Sequence, residues 1–328
     1  MPSSTSSSSR SLKLWAAALI AACAVVALCL ELGTSVALNR SSLTRQRINV
    51  QRPRAVRLAT ATDRRTPMLI AGNSLFLAGI QTERLQKLSP GLDIAPLFVE
   101  ATAYYDWYYS LRALFREGSR PAVVIIGLGT GSFLEGGIRE DYVAYSMVDR
   151  SDLLNLAGAL DLDRTQTTNL LLAHWSQFWG HRGVIRGRVL NAMIPGLEDL
   201  TRAMNRGRRA RMAGGGRASD LALERLTALR DLCRNHGAEL VVVIPPTPTP
   251  DNLIPVMEAA AKSAGIDFLV PIAPGALPRT LYSDASHLDE RGAELFTQAL
   301  ANEIGRFGAK SATRQVTGVS TLGKARND

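Results

Sequence analysis

The sequence predicts an α/β protein, a three-layer sandwich built on a parallel sheet and preceded by one N-terminal transmembrane helix. Three observations predict it. Five short apolar runs occur in order, helical patterns lie between them, and a long uncharged segment stands near the N-terminus.

The uncharged segment comes first. Residues 1–13 are a serine-rich polar leader carrying Arg10 and Lys13, and Leu14 to Leu30 then runs for 17 residues without a charge. A spanning helix needs about 20 apolar residues, a length reached if Glu31 lies near the interface and 14–38 is one helix or signal anchor. Orientation is left open by the flanks. Arg40, Arg45, Arg47, Arg52, Arg54 and Arg57 follow the segment, and a count of positive charge keeps the body on the cytoplasmic side. A short basic leader before an apolar core is also the layout of a secretory signal, with Ser35, Val36 and Ala37 as a weak cleavage site. Residues 39–66 show little apolar periodicity and read as a basic linker.

The first four apolar runs begin at Met68, Ile94, Pro121 and Leu240, the fourth ending at Pro245 and Pro246. The fifth runs from Ile266 to Val270. Short β-branched runs, apolar on both faces, suit strands buried in a parallel sheet. Tyr104 to Arg116, Leu221 to His236 and Leu253 to Ala264 carry helical spacing and precede the third, fourth and fifth runs. That alternation sets the class. Residues from about 135 to 215 interrupt it as a helical, arginine-rich insertion holding His174, Trp175, Phe178, Trp179 and His181, with a flexible exit at Gly214 to Gly216. The body spans 67–307, and 308–328 reads as a disordered tail.

Charge and cysteine content narrow the function. A formal net charge of +9 favours anionic surfaces such as lipid headgroups or acidic polymers. Nucleic acid is excluded as a partner, since no zinc-ligand spacing, basic zipper or aromatic RNA motif occurs. Cys23, Cys29 and Cys233 have neither disulfide nor metal spacing, and His174, His181 and His236 have no ligand partners. No metal or cofactor is expected. Gly127, Gly129 and Gly131 lack the third glycine of a dinucleotide fingerprint.

Two segments carry chemistry. Gly72, Asn73, Ser74 and Leu75 stand where the first strand stops, the edge at which open α/β sheets bind ligands. Alone, the tetrapeptide also reads as a serine helix cap. Near the far end, Asp284 and His287 are three apart in a loop before a helix marked by Leu288, Ala293, Phe296, Leu300 and Ile304. One backbone turn lets a carboxylate hold one imidazole nitrogen and leaves the other for a hydroxyl nucleophile.

Together these segments resemble the SGNH, or GDSL-like, hydrolase superfamily, over about Met68 to Phe307. The resemblance implies a flavodoxin-like sheet of five parallel strands, with Ser74 as nucleophile, His287 as base and Asp284 as orienting acid. The first block departs from the family by carrying Asn73 where aspartate is usual. The third block, Gly127 to Phe133, has no asparagine, so an oxyanion hole would fall to Ser74 with Thr130, Gly131 or the Gly129 amide. The family's second-block glycine is not evident in Glu100 to Tyr104. An anchored member is similar to the membrane-tethered proteins of polysaccharide O-acetylation and D-alanyl transfer. That likeness implies export of the body to the periplasmic or outer side of the cytoplasmic membrane, an anionic or neutral polysaccharide as acceptor, and a membrane-bound O-acyltransferase as partner. Three functions stay open: an acyltransferase, a plain esterase, and a non-catalytic scaffold that keeps the fold. Tyr104, Tyr105, Trp107, Tyr108 and Tyr109 read as helix packing, or as an aromatic wall for a sugar.

Overall fold

Each apolar run forms a strand because its β-branched residues can be buried on both faces. The strands are β1 (Thr66–Gly72), β2 (Leu92–Phe98), β3 (Val123–Gly127), β4 (Glu239–Val243) and β5 (Asp267–Leu269). A computed structural model describes residues 7–58, 65–194 and 215–322, with side chains over 11–58, 65–194 and 217–308. All four strand pairings are parallel and the order is β2-β1-β3-β4-β5, the doubly wound flavodoxin-like arrangement.

Residues alternate between two cores, as the pleat requires. Leu69, Ala71, Val124, Ile126, Leu240 and Val242 face one helical layer. Met68, Ile70, Val123, Ile125, Val241 and Val243 face the other, with Phe76, Phe296, Leu300 and Ile304. That gives three layers.

The helices before the insertion are α1 (Ser7–Ser41), α2 (Leu43–Val56), α3 (Ser74–Gly79), α4 (Thr82–Leu88), α5 (Tyr104–Arg116) and α6 (Thr130–Leu134). Within it lie α7 (Leu153–Ala159), α8 (Arg164–Trp175) and α9 (Gln177–Met193). The last three are α10 (Gly215–Asn235), α11 (Ile254–Ala264) and α12 (Glu290–Leu322). Within Ser11–Ser41 of α1 an 18-residue stretch has a mean hydropathy of 2.3, and the helix is long and apolar enough to cross a membrane.

Two expectations are corrected. The stretch read as a linker holds α2, which lies against β2. Only Ile48 and Ala55 of α2 are fully buried. The helix is fastened instead by polar contacts that leave no hydrophobic period: Gln51 Oε1 accepts from the Phe98 amide at 2.8 Å, and Arg47 pairs with Glu100 at 2.7 Å. The supposed tail continues as α12 to Leu322. Residues 323–328, and the arginine-rich stretch from Arg202 to Arg211, lie outside the described residues.

Candidate active site

Ser74 is the first residue of α3, directly after β1. Asn73 caps that helix, its Oδ1 accepting from the Leu75 amide at 3.0 Å while its carbonyl accepts from Phe76 and Leu77. A cap needs a side-chain oxygen acceptor, which asparagine supplies as well as aspartate does. As the first helical residue, Ser74 has an amide with no carbonyl four positions back.

Two glycines let the elements approach closely here. Gly72 and Gly127 are partners across β1 and β3. A Cβ on Gly72 would lie 2.7 Å from the Gly127 carbonyl oxygen, and one on Gly127 would lie 1.9–2.1 Å from ring atoms of Phe76. The Phe76 ring, 0% exposed, therefore packs over bare backbone and draws α3 onto the strand ends.

The loop before α12 supplies the other half. Tyr282 and Leu288 form an antiparallel bridge, and the Ser283 amide donates to the His287 carbonyl at 2.9 Å. Inside this tight loop Asp284 Oδ1 accepts from the amides of Ser286 and His287 at 2.8 and 2.9 Å, the local turn that aspartate favours. Its Oδ2 lies 2.7 Å from His287 Nδ1. His287 Nε2 lies 2.9 Å from Ser74 Oγ. An ionised carboxylate only accepts, so Nδ1 donates to it, and in the neutral imidazole Nε2 then presents a lone pair to the serine hydroxyl. The hydrogen bond from His287, followed by the two amides, holds the Asp284 carboxyl well below the usual carboxylate range.

The two halves are clamped through α12. Thr297, 0% exposed, accepts from the Gln81 amide at 3.0 Å and donates to the Gly79 carbonyl at 3.3 Å. Gln81 Nε2 also donates to the Glu290 carbonyl at 3.1 Å. The site stands open at the sheet rim, with the His287 side chain 30% and that of Asp284 55% exposed.

The oxyanion expectation needs correcting at one atom. Thr130 Oγ1 donates to Asp251 Oδ2 at 2.6 Å, and Asp251 Oδ1 accepts from the Leu253 amide at 3.0 Å. The hydroxyl is thus committed to fixing the α6 turn against the loop after β4. Gly131 and the Thr130 amide remain at the start of α6, next to β3, the strand that pairs with β1. Asp251 was invisible in the sequence because it is 121 positions from Thr130.

A second feature that the sequence did not disclose lies after β2. Ala101 has φ 54°, a left-handed conformation uncommon for a residue with a Cβ. A cleft of about 290 Å³ lined by Ala101, Asp106, Glu135 and Arg139 opens at this edge. The cleft lined by Gln81, Glu83, Arg84 and Lys87 contains no serine, threonine or cysteine.

The remaining candidates are packing residues. His181 lies edge-on to Tyr142 and His236 stacks on Phe115, while the His174 ring bonds the Ala144 carbonyl at 2.7 Å. Trp107, Tyr104 and Tyr109 are buried and Tyr105 and Tyr108 half-buried, with the Arg225 guanidinium 4.7 Å from the Tyr104 ring centre, so most of this cluster is helix packing. Among the described residues no three His, Cys, Asp or Glu side chains gather to hold a metal.

No protein-family model matches the chain, and no curated protein does. Solved structures do resemble it. A GDSL-like lipase from Bacteroides thetaiotaomicron aligns over 80% of this chain and 98% of its own at 10% identity, with a TM-score of 0.40. An α/β hydrolase enzyme from the Lake Arreo metagenome aligns over 76% and 98% at 12% identity, with a TM-score of 0.40. An acetylxylan esterase from Geobacillus stearothermophilus aligns over 73% and 94% at 13% identity, with a TM-score of 0.36. Likeness this distant carries no functional inference, and the chemistry of the site rests on its own distances.

Proposed function

We propose that the protein is a membrane-anchored serine acyl-transfer enzyme, with Ser74 as nucleophile, His287 as general base and acid, and Asp284 as the group that orients and stabilises the imidazolium. The observation that carries this reading is the position of His287, whose two ring nitrogens lie 2.9 Å from Ser74 Oγ and 2.7 Å from Asp284 Oδ2.

In the reaction, Ser74 Oγ attacks the ester carbonyl carbon as its proton passes to His287 Nε2. In this reading the oxyanion that forms accepts from the amides of Ser74 and of the α6 start; one such donor contributes about 10²–10³ in rate. Collapse expels the alkoxide, which takes the proton from His287 and leaves an acyl-serine. A second hydroxyl then repeats the sequence in reverse, His287 removing its proton and returning it to Ser74.

The acceptor in this reading is a polysaccharide hydroxyl on the outer face of the membrane, with a membrane-bound O-acyltransferase as the acyl source. The apolar α1 and the basic insertion favour that setting, by analogy with tethered enzymes. Water as acceptor gives an esterase, and the open rim at His287 favours that alternative. A non-catalytic scaffold is favoured only by the missing third-block asparagine.

A serine-reactive phosphonate followed by peptide mapping tests the assignment. Label on Ser74 that is lost in His287→Ala supports it. An unlabelled Ser74 in folded protein removes the enzyme reading. Comparing product with water and with a sugar acceptor then separates hydrolysis from transfer.

A further inference from the structure

Leu14 to Leu30 of α1 is exposed on all sides, and a straight helix of that length rises about 26 Å, close to the thickness of a bilayer core. The first side chains of α1 to meet the body are Glu31, Thr34, Ser35 and Leu38, all on one helix face. Glu31 stands at the end of the apolar run and serves as the cap of α9. Its carboxylate accepts from Ser176 Oγ at 2.7 Å and from the amides of Gln177 and Phe178 at 2.8 and 3.2 Å. Gln177 Nε2 adds a bond to Ser35 Oγ at 3.4 Å. The start of α9 is thereby fixed at the level where the span ends.

Beyond Arg182, α9 leaves the body. Val184, Val189 and Met193 are 44%, 52% and 72% exposed, and Arg186 and Arg188 between them are exposed too. No acidic residue occurs from Gln177 to Met193. Aliphatic side chains exposed beside arginines, whose long stems can lie along acyl chains while the guanidinium reaches the headgroups, suit contact with a lipid interface.

The other end of α1 fixes which edge of the sheet is involved. Helix α2 runs antiparallel to β2: Thr44 and Arg47 bond Glu100 beyond the carboxyl end, Gln51 bonds the Phe98 amide, and Arg54 pairs with Asp93 near the amino end. The junction of α1 and α2 therefore lies at the carboxyl edge, the edge of Ser74 and His287.

We infer that α9 lies on the surface of the bilayer that α1 crosses, its aliphatic residues in the acyl boundary and Arg186 and Arg188 among anionic headgroups. Together with the α1–α2 junction, it holds the catalytic edge toward the membrane. Substrate then reaches Ser74 from the lipid–water boundary. The placement of α9 rests on α1 as a span, and only the route of substrate to Ser74 rests on the proposed function.

The test uses the full chain in vesicles of neutral lipid with and without phosphatidylglycerol. Nitroxide labels are placed on Val189→Cys, on Leu19→Cys within the span, and on Lys87→Cys at the opposite edge of the sheet, after Cys23, Cys29 and Cys233 are replaced by alanine. In phosphatidylglycerol vesicles, the labels at 189 and 19 are expected to favour collision with oxygen, and the label at 87 with a water-soluble nickel chelate. Arg186→Gln with Arg188→Gln shifts the label at 189 toward water. The inference is overturned by a water-like label at 189 or at 19, by dipolar broadening from a second copy seated on α9, or by indifference to the arginine pair. Running the series in Ser74→Ala as well keeps the result separate from catalysis.

Discussion

The Nε2 atom of His287 lies 2.9 Å from Ser74 Oγ, within reach of direct proton transfer. Ser74→Ala and His287→Ala are each expected to lower kcat/KM for a short-chain aryl ester by at least about 10³. The double variant should be little worse than either single one, since the groups act as a unit. Asp284→Asn costs about 10²–10⁴ through the wrong tautomer. Steady-state kinetics on protein with unchanged circular dichroism checks this, and additive losses would refute a shared mechanism.

Phe76 occupies the space a side chain on Gly127 would need. Gly127→Ala should destabilise by about 1–3 kcal/mol, or fail to fold, since the ring can move only into packed core. Adding Phe76→Leu should recover part of the loss. Denaturant titration of the single and double variants decides, and equal midpoints for the two would show that the ring is not the obstacle.

Thr130 is expected to matter for stability more than for chemistry. Thr130→Val removes the donor to Asp251 and should cost about 1–3 kcal/mol. Its effect on kcat should stay below about tenfold, against the 10² or more that follows loss of an oxyanion donor. Thr130→Ser should restore the wild-type melting temperature. A hundredfold fall in kcat for Thr130→Val would return its hydroxyl to the oxyanion hole.

Asp106 gives a dependence on pH. Burial pushes its carboxyl up to about 7, against the counteracting amides of Arg139 and Ala103 that donate to it at 2.8 Å each. With a raised folded-state value, the native chain binds a proton that the unfolded chain has released. That stability is fully present below the ordinary aspartate value and is lost as pH rises through about 7. Melting temperature should therefore fall between pH 4.5 and pH 7.5 by roughly a few degrees, and Asp106→Asn should flatten that slope. An unchanged slope in the variant would assign it to another group.

Ala101 holds a left-handed backbone at the carboxyl edge. Ala101→Gly should be neutral or stabilise by up to about 1 kcal/mol, and Ala101→Val should destabilise by more, because only glycine enters that region without a Cβ penalty. Thermal melts of the two variants measure the difference, and a stable valine variant would mean the turn relaxes.

Much of the fold could be read from residue order. All five apolar runs became strands, and Tyr104 to Arg116 is a helix with those limits, because burial on two faces or on one stripe leaves a local period. Asp284 with His287 was legible for the same reason, since three residues and one turn set their contact. Polar fastening leaves no period. Helix α2 looked like a linker because Thr44, Arg47 and Gln51 hold it, and Glu31 looked like a mere break in an apolar run although it caps α9.

By itself, then, the sequence determined the α/β class, the strand positions, the long apolar N-terminal helix and the candidate side chains Ser74, Asp284 and His287. Tertiary structure alone decided that Ser74 meets His287, that the Thr130 hydroxyl goes to Asp251, and that α1 joins the body at the carboxyl edge of the sheet. Those outcomes depend on how helices dock across one sheet, on contacts between residues 213 or 121 positions apart, where local pattern carries no information about distance.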